Sequence, residues 1–222
     1  MPQCIWCEKK GIFLSVDSNK LCRNCQGIIY FDFQQRFRII RDSQKLIEKS
    51  KNFSTRISRI DTLLEHVQAL KKYEEKNITT LSPPPSEVER NYLGVRGDLI
   101  FENIIEEIDK IMNKARLGLT HKTKAGEANK ALVKINERRK EIQEEDKLKE
   151  IEEREKEIKT FIHETQLNEF IEEAKKAEFK GQKAKALDKY QEALYFLQND
   201  EIDDSFQKEK IAEIKAKISE LK

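Results

Sequence analysis

A mainly α-helical fold, with sheet confined to one short hairpin near the N-terminus, is predicted by three features of this chain. Charged residues make up 38% of its 222 positions, against ~25% in an average soluble chain, and the hydrophobic fraction is 37%. Only 7 glycines and 4 prolines occur, too few turn-formers for a many-stranded sheet. Long stretches place apolar residues three and four apart, the pattern of narrow stripes on charge-laced helices. The same composition argues against a large globular enzyme with a deep apolar pocket. With 43 Lys+Arg against 41 Asp+Glu the net charge is +2, so no global field points to nucleic acid or membrane. No run of 18 apolar residues exists, so no segment is expected to span a bilayer.

All four cysteines lie in the first 25 residues, as Cys4, Cys7, Cys22 and Cys25. The opening Met-Pro-Gln-Cys-Ile-Trp-Cys has neither a basic nor an apolar leader segment, so a secretory signal is not expected. A reducing, cytoplasmic setting keeps thiols for metal rather than for cross-links. Two thiolates three residues apart can turn onto one ion, and a hairpin brings the second pair around. Four such ligands complete a tetrahedron about 2.3 Å from the ion, a set that selects zinc or iron, and for a lone four-cysteine knuckle zinc is the expected metal. One structural Zn2+ held by Cys4, Cys7, Cys22 and Cys25 is therefore predicted. Its coordination sphere is closed, leaving no position for substrate.

Between the pairs, Ile12 to Val16 reads as a short strand, and Asp17-Ser18-Asn19 as a turn with Asn19 best able to take a positive φ. A helix is expected to begin near Asn24 or Gln26. Knuckle, hairpin and a second pair at a helix start is the order of a treble-clef or zinc-ribbon-like finger. The run Leu21-Cys22-Arg23-Asn24-Cys25, with Ile28, Ile29 and Tyr30, resembles the second half of GATA-like and LIM-like fingers. That resemblance covers about the first 35 residues and implies the metal, not the partner. DNA reading does not carry over, because the hairpin is shorter and the following tail less basic than in GATA fingers.

Through Arg41 the cations are Lys9, Lys10, Lys20, Arg23, Arg36, Arg38 and Arg41, against Glu8, Asp17 and Asp32. They read as balance for the −2 charge of a four-thiolate site, or as a phosphate-binding surface. Trp6, Phe13, Tyr30, Phe31, Phe33 and Phe37 accompany them. Such aromatics are either a stacking platform for single strands or the core by which a minimal domain docks on its own helix; the second is the expected role.

From Ile39 to Val67 the residues Ile39, Ser43, Leu46, Ser50, Phe53, Ile57, Ile60, Leu64 and Val67 form a heptad seam, uninterrupted by Gly or Pro. A continuous rod from Phe33 to Glu75, on the order of 65 Å long, is expected. Asn77 to Ser86, with three consecutive prolines, breaks it, and a new helix follows from Ser86-Glu87-Val88-Glu89, with Gly94 and Gly97 as expected interruptions. Leu99 to Leu117 carries a broad apolar stripe, and Gly118 to Gly126 reads as a turn in which His121 is a polar turn residue without a carboxylate partner. Glu137 to Lys159 holds 18 charged residues in 23 and reads as a largely solvated helical spacer or coiled-coil arm laced by Glu145/Lys149, Glu150/Arg154, Glu152/Lys156 and Glu155/Lys159.

In the last 55 residues Phe170, Ala174 and Ala177 form one face, Gly181 a turn, and Ala186, Tyr190, Ala193 and Leu197 the facing stripe. A third helix from about Asp204 to Leu221 presents Phe206, Ile211, Ile214, Ile218 and Leu221. The small-and-aromatic spacing Gly181, Ala186, Tyr190, Ala193 resembles a tetratricopeptide hairpin, and the three-helix count an MIT-type module. Both resemblances imply protein binding.

The chain therefore divides into a four-cysteine finger (1–35), a long heptad helix (36–76), a proline-rich elbow (77–90), a helical hairpin or stalk (91–163) and a three-helix module (164–222). This organisation predicts a non-enzymatic, zinc-binding helical adaptor for protein–protein interaction in the cytoplasm, and its heptad positions permit self-association. The second choice is a nucleic-acid-associated protein that contacts phosphates through the basic finger and the helix after it. No membrane partner is expected. No serine-histidine-acid set or glycine-rich phosphate loop is present, and His66, His121 and His163 have no ligand spacing.

Overall fold

The computed structural model describes residues 1–142, 144–199 and 204–222, side chains of 204–206 excepted. Seven α-helices occur among them: α1 (Arg23–Lys49), α2 (Phe53–Glu74), α3 (Pro85–Arg116), α4 (His121–Arg138), α5 (Glu145–Phe179), α6 (Lys183–Gln198) and α7 (Asp204–Leu221). The fold is mainly helical, and no helix among the described residues is long and apolar enough to cross a membrane. By compactness the chain divides into two units, Met1–Asn103 and Ile104–Lys222, with the division falling inside α3.

In the first unit α1 and α2 form an antiparallel hairpin. Tyr73, near the end of α2, bonds Asp32 near the start of α1, and His66 lies 3.4 Å from Arg36. The expected continuous rod is thus broken at residues 50–52. The Asn52 side chain accepts the Thr55 N–H at 2.9 Å, and Ser50 Oγ accepts the Asn52 N–H at 3.1 Å. Side chains that bond the backbone locally compete with the helix and cap a new one, which needs neither Gly nor Pro. Folding back lets the apolar stripes of both helices bury each other. Ser43, Ile60 and Val67 of the predicted seam are buried, but on α1 the stripe has rotated by one position, so that Ile40 and Ile47 are buried while Leu46 is exposed. Each fully buried Leu or Ile contributes roughly 1.5–3 kcal/mol.

α2 ends in a Schellman motif. Asn77, at φ +56°, turns the chain, its N–H bonding Glu74 O and the Ile78 N–H bonding Tyr73 O, while Ile78 is buried. α3 starts at Pro85, where a missing N–H costs nothing, and Glu74 receives both the N–H and the hydroxyl of Ser86. Lys71–Glu89 and Asp61–Arg96 then align α3 antiparallel to α2. Gly94 and Gly97 do not interrupt α3, whose turns continue through both.

The second unit continues the antiparallel order. Ile104, Ile108, Met112 and Ala115 of α3 are buried, as are Ala128, Ala131 and Ile135 of α4. Gly118 closes the α3–α4 turn, where a Cβ would lie 2.9 Å from Lys124 Cγ and 3.1 Å from Ala115 O. His121 is not a loop residue: it opens α4 after the Thr120 cap, and its Nε2 lies 3.3 Å from Glu172. The expected helical segment over 137–159 is helical from Glu145 onwards but contains a helix junction at its start. α4 ends at Arg138, a 3-10 turn covers Arg139–Glu141, Ile142 is buried, and α5 begins at Glu145. Arg139 reaches across to Glu152 and Glu155, which takes Glu152 from its expected local partner. Glu145–Lys149 and Glu155–Lys159 do form, at 3.2 and 2.7 Å.

α5 runs unbroken through position 163/164. Ala174, Ala177, Ala186, Tyr190, Ala193, Leu197, Ile211, Ile214 and Ile218 are buried as expected, and Phe170 is half-buried against Phe196. Gly181, at φ +68°, ends α5 in a second Schellman motif through Gly181 N–H to Glu178 O and Gln182 N–H to Ala177 O. The side chain of Phe206 lies outside the described residues.

Candidate metal centre

Cys4 and Cys7 sit in a tight N-terminal knuckle, Cys22 immediately precedes α1, and Cys25 lies in the first turn of that helix. The knuckle is closed by the Glu8 N–H on Cys4 O and by the Cys4 N–H on Lys9 O. Glu8, at φ +60°, supplies the left-handed residue that reverses the chain. The second turn is held by Asp17, whose carboxylate accepts the Leu21 N–H at 2.8 Å. There the positive φ falls on Lys20, at +57°, and not on Asn19. The expected hairpin is reduced to isolated antiparallel bridges, Gln3 with Lys10 and Val16 with Cys22. Ile12 and Phe13 form a turn instead of a strand, because the ladder needed to extend them is absent on both sides.

These local turns bring all four sulfurs within 4.8 Å of one another, with Cys4, Cys22 and Cys25 buried and Cys7 exposed. All four are free thiols. Sulfurs arranged tetrahedrally around one ion at 2.3 Å stand ~3.8 Å apart. Cys7 and Cys22 are separated by 3.9 Å. The donor set therefore fits a four-coordinate metal. Among the described residues this is the one meeting of three or more metal-ligating side chains.

Electrostatics prepare the cluster for a cation. Burial opposes ionisation of Cys4, but the backbone N–H groups of Cys7, Cys22 and Trp6 outweigh it and bring that thiol down to about 6. The Cys22 N–H lies 3.3 Å from Cys4 Sγ. Burial, reinforced by the neighbouring sulfurs, pushes the Cys25 thiol up to about 12. One thiolate is accommodated readily and further ones repel it, so a bound cation is what allows all four to ionise. Four protein sulfurs saturate a tetrahedral ion, and such a centre holds the chain together without exposing a reactive position.

The cluster is tied to the helices by contacts that the spacing of the cysteines does not reveal. Trp6, inside the knuckle, packs its ring 5.1 Å from that of Tyr73, with Lys76 Nζ over its face. The Tyr73 hydroxyl donates to Asp32 at 2.7 Å, and Asp32 also pairs with Arg36 and Lys72. Burial disfavours the Asp32 charge, yet the Tyr73 hydroxyl, Arg36 and Lys72 together hold its carboxyl below the usual value. Burial and the Asp32 charge push the Tyr73 phenol up.

The expected aromatic core is only partly built. Trp6 and Phe33 pack against the first unit's core, but Phe13 is 100% exposed and Ile12 72%, and Ile28, Tyr30 and Phe31 are exposed as well. Lys9, Lys10, Lys20 and Arg23 are exposed and form no ion pair among the described residues, whereas Arg36 is taken up by Asp32. His66 meets Arg36 and His163 stacks on Phe196, both away from the sulfurs. No family model matches the chain, and neither a curated protein nor a solved structure matches it, so the reading of this site rests on its own chemistry.

Proposed function

We propose that the chain is a non-enzymatic adaptor in which a single structural Zn2+, held by Cys4, Cys7, Cys22 and Cys25, fixes a small treble-clef-like finger whose outer face captures a protein partner. The observation that carries this reading is the exposed apolar set around the cluster. Ile12 and Phe13 project from a turn, and Ile28 and Phe31, three apart on α1, share one helical face. Trp6 and Phe33 hold the finger to its own helices, so these others are available to a partner. Several large apolar side chains exposed on one small finger and its helix suit an interaction site. The helices α5 to α7, with alanines at their close approaches, supply a tetratricopeptide-like or MIT-like second module, and a reducing cytoplasm suits four free thiols.

A second reading has its own support, in the unpaired Lys9, Lys10, Lys20 and Arg23 beside exposed Tyr30 and Phe31. These are the ingredients of single-strand binding. The two readings separate on one comparison. Affinity isolation with the full-length protein is repeated with Ile12→Ser/Phe13→Ser/Phe31→Ser and with Lys9→Glu/Lys10→Glu/Arg23→Glu. The adaptor reading expects a protein partner retained at high salt and lost only with the serine substitutions. Loss through the charge substitutions, with binding to DNA or RNA that falls steeply with salt, reverses the ranking.

A further inference from the structure

The second unit concentrates cations and exposed apolar side chains at one end. The His121–Glu172 contact fixes the register of α4 against α5, so the α3–α4 turn and the α5–α6 turn lie at the same end of this unit. Leu117 (82% exposed) and Leu119 (99%) project from the first turn, and Phe179 (93%) from the second. Between Ile111 and Gly126 the charged residues are Lys114, Arg116, Lys122 and Lys124, with no acid among them. The second turn adds Lys180, Lys183 and Lys185, while its one acid between Ala174 and Lys185, Glu178, is engaged by the Tyr190 hydroxyl. None of these seven cations has a carboxylate within ion-pair distance among the described residues. In a chain whose net charge is only +2, this is a local accumulation and not a general basicity.

We propose that this end of the second unit docks on the surface of an anionic lipid bilayer, with Leu117, Leu119 and Phe179 entering the acyl boundary and the surrounding lysines meeting the headgroups. Shallow insertion of apolar side chains combined with attraction of Lys and Arg to anionic headgroups is the physics of peripheral membrane attachment. Leu117 and Leu119 offer nothing to phosphates or bases, and Phe179 alone makes no stacking platform for successive bases, which disfavours nucleic acid. Side chains projecting singly from turns present no groove for a partner helix, whereas a deformable apolar phase accepts them without a complementary pit. The proposal departs from the sequence-based expectation of no membrane partner, which rested on the absence of a spanning segment and of a global charge field. It is independent of the finger's part in the adaptor reading, since none of these residues belongs to the finger.

Full-length protein is sedimented with phosphatidylcholine vesicles containing about 30 mol% phosphatidylserine and with phosphatidylcholine vesicles alone. Binding to the anionic vesicles should be at least about tenfold tighter, and should be largely lost near 0.5 M salt, where the Debye length is roughly 4 Å. Leu117→Ser/Leu119→Ser/Phe179→Ser should weaken it at least about tenfold with unchanged helicity, because these side chains contribute nothing to the core. Lys122→Glu/Lys124→Glu/Lys183→Glu should do the same through a different term. No sedimentation with anionic vesicles, equal binding to both vesicle types, or undiminished binding by the serine variant overturns the proposal. Preferential capture of single-stranded nucleic acid by the same lysines, indifferent to the serine substitutions, also overturns it.

Discussion

In residues 1–103 the helices meet on large side chains, with Ile60, Leu63, Val67, Leu70 and Tyr73 of α2 buried against α1 and a cluster of four thiols closing the N-terminal end. In residues 104–222 buried large side chains such as Ile108, Ile135, Ile158 and Tyr190 are interleaved with small ones, since Ala128, Ala131, Ala174, Ala177, Ala186 and Ala193 are also buried. A bulky interface tolerates a lost methyl poorly because a cavity remains, whereas an alanine interface tolerates an added atom poorly because backbones have already approached closely. The first unit is therefore sensitive to removal, of metal or of a contact, and the second is sensitive to enlargement as well, at its alanine contacts. Ion pairs do not erase that contrast, because exposed pairs are worth only ~0–1 kcal/mol each.

The largest effect should come from Cys25→Ser. Structural zinc binds four-cysteine sites with on the order of 10 kcal/mol, comparable to the whole stability of a domain. Metal content by elemental analysis should fall from about one ion per chain to near zero. Amide-exchange protection should collapse over residues 1–35 and persist from α4 onwards. Chelation of the wild type should reproduce that pattern, and equal loss in both units would contradict the division drawn here.

Ala193→Arg is the mirror experiment. The methyl of Ala193 is fully buried, and a long cation there must either displace a helix or lie uncompensated in an apolar interface. A loss of at least ~3 kcal/mol is expected, confined to α5–α7, with metal content unchanged. Protection in α1 and α2 measured alongside checks the confinement.

How much of this was legible follows the range of the interactions. The cysteine cluster was, because each pair is a local turn and the spacing alone brings four sulfurs together. The terminal stripe from Ala174 to Ile218 was, because its 3.6-residue period marks the buried face directly. The break at Ser50–Asn52 was missed for want of Gly or Pro, although a Ser-x-Asn-x-x-Thr run before a new apolar stripe was the signal available. Helix through Gly94 was missed because an exposed glycine costs only about 1 kcal/mol, less than packing on either side returns. Contacts such as Trp6–Tyr73, Tyr73–Asp32 and His121–Glu172 depend on which helices become neighbours, and nothing in their local sequence announces them.

A smaller effect sharpens the first unit's sensitivity to removal. Tyr73→Phe deletes the donor to Asp32 and should destabilise that unit by roughly 1.5–3 kcal/mol at neutral pH, as for a hydrogen bond to a charged group. Asp32 titrates below its ordinary value in the folded chain. Its contribution is therefore fully present above the unfolded carboxyl pKa, near 3.9, and is lost as pH falls through the lower folded value. The gap between wild type and Tyr73→Phe should accordingly narrow below about pH 4 in urea titrations. A gap that stays constant into acid would mean the phenol acts only through packing.

The smallest effects test the two hairpins against each other. Asn52→Ala removes the cap that starts α2 and should cost about 1 kcal/mol. Gly181→Ala puts a Cβ on a residue at φ +68°, with open space around it, and should cost about the same through backbone strain alone. The first loss should register in the exchange of α1 and α2, the second in that of α5 and α6. Asn52→Ala carries a further consequence. If the side-chain cap were the sole obstacle to the continuous rod, its removal would let α1 and α2 join, and apolar stripes freed from each other would pair between chains. The buried Ile47, Ile60 and Leu63 oppose that outcome, because joining the helices would expose residues that together stabilise the hairpin by several times the ~1 kcal/mol at stake in the cap. The variant should therefore keep the wild-type mass in solution by light scattering, and a doubled mass would show that the hairpin rests on three residues at its turn.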